Sequence, residues 1–177
     1  VGVSFDPNQT ILAYPDKTKG CVRIKNFEKA SVFSVQAHEN NIAYICISYD
    51  GNLMATASEQ GTLIRIFQTE TGAQLQELRR GKDKADIKHI CFSPDYKFLA
   101  ASSNKGTIHI WSLTETFKKL NKSMENEIEN KTSGFKWLPS FLGGNFFSSE
   151  WSFAQVRITD HRSICCFGSE NSVIIVS

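Results

Sequence analysis

Apolar and polar residues follow a period of two through most of this chain, in short runs separated by polar turns. That is the signature of half-buried β-strands, and no convincing helical periodicity appears. The runs also repeat. "ISYDGNLMATASEQGTLIRIF" (Ile47 to Phe67) aligns with "FSPDYKFLAASSNKGTIHIWS" (Phe92 to Ser112), matching Asp50 with Asp95, Ala55 with Ala100, Ser58 with Ser103 and Gly61-Thr62 with Gly106-Thr107. A weaker copy, "VSFDPNQTILAYPDKTKGCVRIKNF", lies upstream, and another begins at "SICCFGSENSVIIVS".

Each copy has one grammar. A β-rich run ends in a polar turn (Tyr49-Asp50-Gly51, Pro94-Asp95-Tyr96), a small apolar strand follows (Leu53 to Ser58, Phe98 to Ser103), and a glycine hairpin leads into an alternating strand. The period of roughly 45 residues and the Gly-Thr hairpin are those of a WD-repeat propeller blade. The expected fold is therefore all-β, one partial β-propeller domain over residues 1–177. A partial blade covers about 1–35 and a blade 36–81. A blade with a long insertion at 113–150 covers 82–158, and 159–177 begins a truncated blade. Such an arc cannot close a ring, so apolar flanks are expected to be exposed.

Composition narrows the function. The 177 residues carry a net charge of +2, so bulk charge does not favour a polyanion, and any anion site must be local. The five cysteines (Cys21, Cys46, Cys91, Cys165, Cys166) lack C-x-x-C or zinc-type spacing and read as buried free thiols, with no metal site expected. His38, His89, His109 and His161 show no catalytic pairing, no Gly-rich phosphate loop precedes a helix, and the basic residues are dispersed. Neither an enzyme, a cofactor or small-molecule substrate, nor nucleic-acid binding is expected. No run approaches 18 apolar residues, so no membrane-spanning helix is expected.

The local anion site has a candidate in Leu78-Arg79-Arg80-Gly81. Adjacent residues of an extended segment point to opposite sides, so two arginines suit two neighbouring pockets, with Gly81 expected to let the chain turn. Guanidinium binds phosphate oxygens in a bidentate way that lysine cannot. Equivalent repeat positions add hydroxyls and further cations: Ser58, Thr62 and Arg65 in one blade, Ser103, Thr107 and His109 in the next. "TLIRIF" is one residue longer than "TIHIW", which suggests a bulge that re-aims Arg65. The competing reading is a solvated surface pair on a protein-binding scaffold.

The run "ATASEQGTLIRIFQTETGAQLQELRRG" resembles the signature of the PROPPIN family, called WIPI proteins in animals. Its members are seven-bladed propellers that bind phosphatidylinositol 3-phosphate and the 3,5-bisphosphate. "AHENNIAYICIS" and "FSSEWSFAQ" are most similar to the branch holding the third and fourth WIPI proteins, and the resemblance places the chain at roughly the fourth to seventh blades. By that resemblance one headgroup pocket holds His38, Ser58, Thr62, Arg65 and Arg79, and a second holds Arg80, Ser102, Ser103, Thr107 and His109. His38 could equally be a structural histidine, and Ser102 and Ser103 could divide between core and pocket.

The insertion has a charged half (Leu113 to Ser133) and an aromatic half around Gly143-Gly144, with Phe135, Trp137, Leu138, Phe141, Leu142, Phe146 and Phe147. Such a cluster either packs onto the propeller flank or enters a lipid interface. The resemblance implies the second, since the matching family loop inserts into membranes. It further implies a protein of the cytoplasm, recruited peripherally to preautophagosomal or endosomal membranes, with autophagy proteins as partners.

Overall fold

The serine in each "S-x-D" turn explains why the repeat starts where it does. Ser48 Oγ donates to Asp50 (2.5 Å) and accepts the Leu53 amide (2.9 Å), closing the turn onto the next strand. Ser93 repeats the device with Asp95 (2.7 Å) and the Phe98 amide (2.9 Å). Ser4 accepts the Ile11 amide at 2.8 Å in the upstream copy. Side-chain bonds of this kind hold a turn without help from distant residues.

The strands that follow were traced in a computed structural model, which describes residues 1–120, 149–159, 162–169 and 172–176. The first sheet joins β1 (Gly2–Val3), β2 (Ile11–Pro15), β3 (Cys21–Asn26) and β4 (Ser31–Gln36), in that order. The second holds β5 (Ile42–Ile47), β6 (Leu53–Ser58), β7 (Leu63–Gln68) and β8 (Gln74–Arg79). The third is built from β9 (Ile87–Phe92), β10 (Phe98–Ser103) and β11 (Thr107–Ser112), and then, after the insertion, β13 (Ala154–Arg157). A hairpin of β14 (Ile164–Phe167) and β15 (Val173–Val176) is the fourth.

Consecutive first strands β1, β5, β9 and β14 touch, so the sheets fan from a common line as propeller blades do. Three apolar layers fill the gaps. Ile11, Val22, Ile24, Met54 and Phe67 pack between the first and second sheets. Ile64, Ile66, Leu78, Leu99 and Trp111 pack between the second and third. Ala100, Ile108 and Cys165 pack between the third and fourth. These layers give every strand residue a definite side, toward the preceding blade or the following one. Exposed apolar side chains gather at the two ends of the arc, with Val3 and Phe5 on one and Ile164, Ile174 and Val176 on the other.

Both ends of the insertion are pinned to the second sheet. A helix α1 (Thr114–Leu120), within the charged half of the insertion, leaves β11 and packs on β8. Seven residues are too short for periodicity to register, and the helix is set by a tertiary contact: Gln76 of β8 accepts both the amide (3.2 Å) and the hydroxyl (2.7 Å) of Thr116. The returning chain forms β12 (Glu150–Trp151), parallel to β8 opposite Leu78 and Arg79, and makes the second sheet five-stranded. Gln76 also donates to Glu150 at 2.9 Å. The aromatic candidates Phe135, Trp137, Leu138, Phe141, Leu142, Phe146 and Phe147 lie outside the described residues.

Candidate phosphate-binding clefts

Arg79 ends β8 opposite Leu63 of β7, two residues after Glu77 opposite Arg65. In β7, Ile64 and Ile66 face the third blade, so Leu63 and Arg65, and with them Glu77 and Arg79, face the first. Arg80 follows on the other side, against the third blade. The two arginines thus serve two clefts, as alternation requires.

The first cleft brings together His38, Arg65 and Arg79, with Ser58 on the same face of β6 as Thr56 and Met54. Arg65 donates through Nη1 to the Ala37 carbonyl (2.6 Å) and through Nε to Glu77 (2.8 Å). His38 Nε2 lies 3.0 Å from Thr56 Oγ1. Arg79 is buried, and its Nε donates to Ser149 Oγ at 2.7 Å. Thr62 stands at the wall between the clefts, where its carbonyl accepts the Arg80 amide at 2.9 Å. The suspected bulge does not re-aim Arg65. Pairing of β6 with β7 is regular, and the extra residue is Leu75 on β8, skipped between Gln74 and Gln76.

The second cleft holds Arg80, Ser103, Thr107 and His109. Arg80 is buried, with Nε on the Gly61 carbonyl (2.9 Å) and Nη2 on that of Asp83. His109 and Thr107 share the β11 face of Trp111, which packs toward the second blade, and the His109 ring stacks on Trp111 at 5.5 Å between centroids. Ser103 shares the β10 face of Leu99 and Ala101, toward the same blade. Ser102 does not join them. It lies on the opposite face with Ala100, next to Cys165 of the fourth sheet, because neighbouring strand residues cannot both face one cleft.

Sequence reasoning missed two hydroxyls. Ser149 reaches Arg79, and Ser152 Oγ lies 3.0 Å from His109 Nδ1, so the chain returning from the insertion touches both clefts. "SSEWS" gave no hint, because nothing local shows which strand it lies beside. Nor does Gly81 act as the expected hinge: it has no positive φ, and an added Cβ would meet nothing within 4 Å.

Burial dominates the electrostatics. It lowers both arginines, partly opposed by Glu77 beside Arg79 and Asp83 beside Arg80. Burial first, and the guanidinium of Arg65 second, lower His38 to about 4. Burial and Arg80 do the same to His109, also to about 4. Both imidazoles are therefore neutral at pH 7. Above the unfolded value of 6.5 neither state binds the proton. Between 6.5 and 4 the unfolded chain takes up a proton that the native ring refuses, so stability falls as pH falls. The full loss, on the order of 3 kcal/mol per histidine, is reached below the native value. His89 is shifted upward, chiefly by a hydrogen bond to Cys165, and offsets part of this. Urea unfolding between pH 7 and 4.5 should show His38→Gln losing about 2 kcal/mol less stability than the parent. Equal losses would refute the assignment.

The fold and clefts define a class: an arc of propeller blades with one buried arginine set into each of two adjacent inter-blade clefts. The chain belongs to the PROPPIN family, whose model matches residues 1–166. Autophagy-related protein 18e of Arabidopsis thaliana is 35% identical over 175 residues, 98% of this chain and 44% of that protein. SVP1-like protein 2 of Debaryomyces hansenii is 31% identical over 187 residues, 97% of this chain and 42% of the other. Among solved structures, Kluyveromyces lactis Hsv2 superposes with a TM-score of 0.74 at 23% identity, covering 99% of this chain and 52% of that one. The chain spans about half the length of the relatives it matches.

Proposed function

We propose that this chain is the phosphoinositide-binding part of a peripheral membrane protein acting as an effector or scaffold in autophagosome formation. The observation that carries the reading is the division of Arg79 and Arg80 between two clefts, each with hydroxyls and a neutral histidine nearby. Guanidinium supplies the charge, and hydroxyls complete the shell around a phosphate. The ligands are phosphatidylinositol 3-phosphate and the 3,5-bisphosphate. Arg79 with His38, Ser58, Thr62 and Arg65 holds one headgroup, and Arg80 with Ser103, Thr107 and His109 the other.

Each cleft binds weakly alone. Two clefts facing one bilayer make the second capture effectively intramolecular, which multiplies affinity without new contacts. The insertion leaves across β8 at Gln76 and returns beside Arg79, which supports its aromatic half acting on the same membrane, where Trp and Phe rings suit the interface. The protein works from the cytoplasm at preautophagosomal or endosomal membranes, with autophagy proteins as partners. It binds, and catalyses nothing.

Flotation tests this. The chain, shown folded by circular dichroism, is mixed with phosphatidylcholine vesicles with or without phosphatidylinositol 3-phosphate. It should float only with the phosphoinositide. Equal flotation on both, or on neither, refutes the proposal for this chain.

A further inference from the structure

The cysteines, set aside in the sequence as inert thiols, are not dispersed in space. His89 and Cys91 alternate on one face of β9, and Cys165 approaches that face from β14. One ligand atom from each, two sulfurs and an imidazole nitrogen, lies within 4.8 Å of the others. Ser102 pairs directly with His89 across β9 and β10, and lies beside Cys165. Ser102 Oγ and His89 Nδ1 are both shielded from solvent and meet no partner at full hydrogen-bond geometry among the described residues; the interaction each has is with the Cys165 thiol beside them. Two polar atoms shielded from water without well-formed hydrogen bonds are costly unless a ligand meets them.

We propose that His89, Cys91 and Cys165 form a zinc site that staples the third blade to the fourth. Two thiolates and an imidazole are a donor set that zinc prefers, and ligand atoms around one tetrahedral ion stand a little under 4 Å apart, within reach of the observed cluster. The fourth position takes an oxygen, from Ser102 or a water. Ala100, Ile108, Val173 and Ile175 wall the site with apolar surface, which strengthens the bond between ion and thiolate. Binding releases two thiol protons, so affinity falls as pH falls. A Cys91–Cys165 disulfide would use the same sulfurs but leave His89 Nδ1 without a partner, and both thiols are free. The two blades meet here through strands far apart in sequence, so an ion held by both resists their separation.

The test uses the 177-residue chain, reduced with a phosphine, stripped of metal and titrated with cobalt(II). The expected result is a near-ultraviolet thiolate-to-cobalt charge-transfer band and tetrahedral visible bands, saturating at about one equivalent and abolished by zinc. Zinc should raise the thermal midpoint. Cys91→Ser, Cys165→Ser and the half-buried His89→Gln should each weaken zinc at least about 100-fold in competition with a chromophoric chelator, and Cys21→Ser in the first sheet should not. Each spectrum counts only for chain that circular dichroism shows folded, and His89→Gln leaves both sulfurs in the core. The proposal is overturned by absence of the charge-transfer band, by a band that survives Cys91→Ser together with Cys165→Ser, or by a native mass two hydrogens low from a Cys91–Cys165 disulfide.

Discussion

Replacing Arg79 and Arg80 together by alanine is expected to abolish flotation on vesicles containing phosphatidylinositol 3-phosphate. A charge-assisted hydrogen bond contributes about 1.5–3 kcal/mol, and each arginine offers its phosphate at least one. Losing both removes about 3–6 kcal/mol, or roughly 100- to 10,000-fold in affinity. Single replacements should fall between, at about 10- to 100-fold each, because each empties one cleft and leaves the other. Arg→Lys at either position should be intermediate, since lysine keeps the charge and loses the planar fork. The arginines are also buried, so their removal takes away the bonds they donate to Ser149 Oγ and the Gly61 carbonyl and leaves space behind. That cost, about 1–2 kcal/mol at each position, must be measured by urea unfolding so that lost binding is not confused with lost fold. A folded double variant that floats like the parent would make the pair structural and end the lipid reading.

The second large effect concerns Gly61. Its φ is +61°, and an added Cβ would stand 1.8 Å from the Ala85 carbonyl oxygen, which is backbone and cannot swing aside. Gly20 has the same arrangement one blade earlier, with φ +73° and the His38 carbonyl oxygen at 1.8 Å. The hairpin glycine thus lets the blade press against the segment that enters the next one. Gly61→Ala should cost about 2–5 kcal/mol, from left-handed backbone strain and from displaced backbone. It should also weaken binding in the second cleft, because the Gly61 carbonyl anchors Arg80 Nε. Gly81, the glycine of the motif itself, has open space and no positive φ, so Gly81→Ala should change stability by under about 1 kcal/mol. If Gly81→Ala keeps stability but loses lipid, the glycine serves a ligand's close approach. Equal destabilisation by the two alanines would refute the geometric argument.

The arginine pair and the hairpin glycine separate what is written locally in the chain from what is not. The sequence by itself determined the blades. Period-two alternation, the serine–aspartate turn and the glycine hairpin act within a few residues, so their physics is readable in a short window. Alternation also determined that Arg79 and Arg80 part to opposite sides. Only the tertiary structure decided which blade each side meets. Ser103 joins the cleft and Ser102 the next interface because of what packs against β10, and β10 carries no label for its neighbours. The bulge fell on β8 at Leu75 instead of on β7, since pairing between strands, not the length of one of them, sets where a residue is skipped. The helix Thr114–Leu120 and the parallel strand Glu150–Trp151 depend on Gln76, dozens of residues away. Cys165 reaches His89 and Cys91 across a similar distance. Contacts at that separation form only once the intervening chain is folded, because the entropy of closing so long a loop is repaid by the packed blades as a whole and not by any short stretch of sequence.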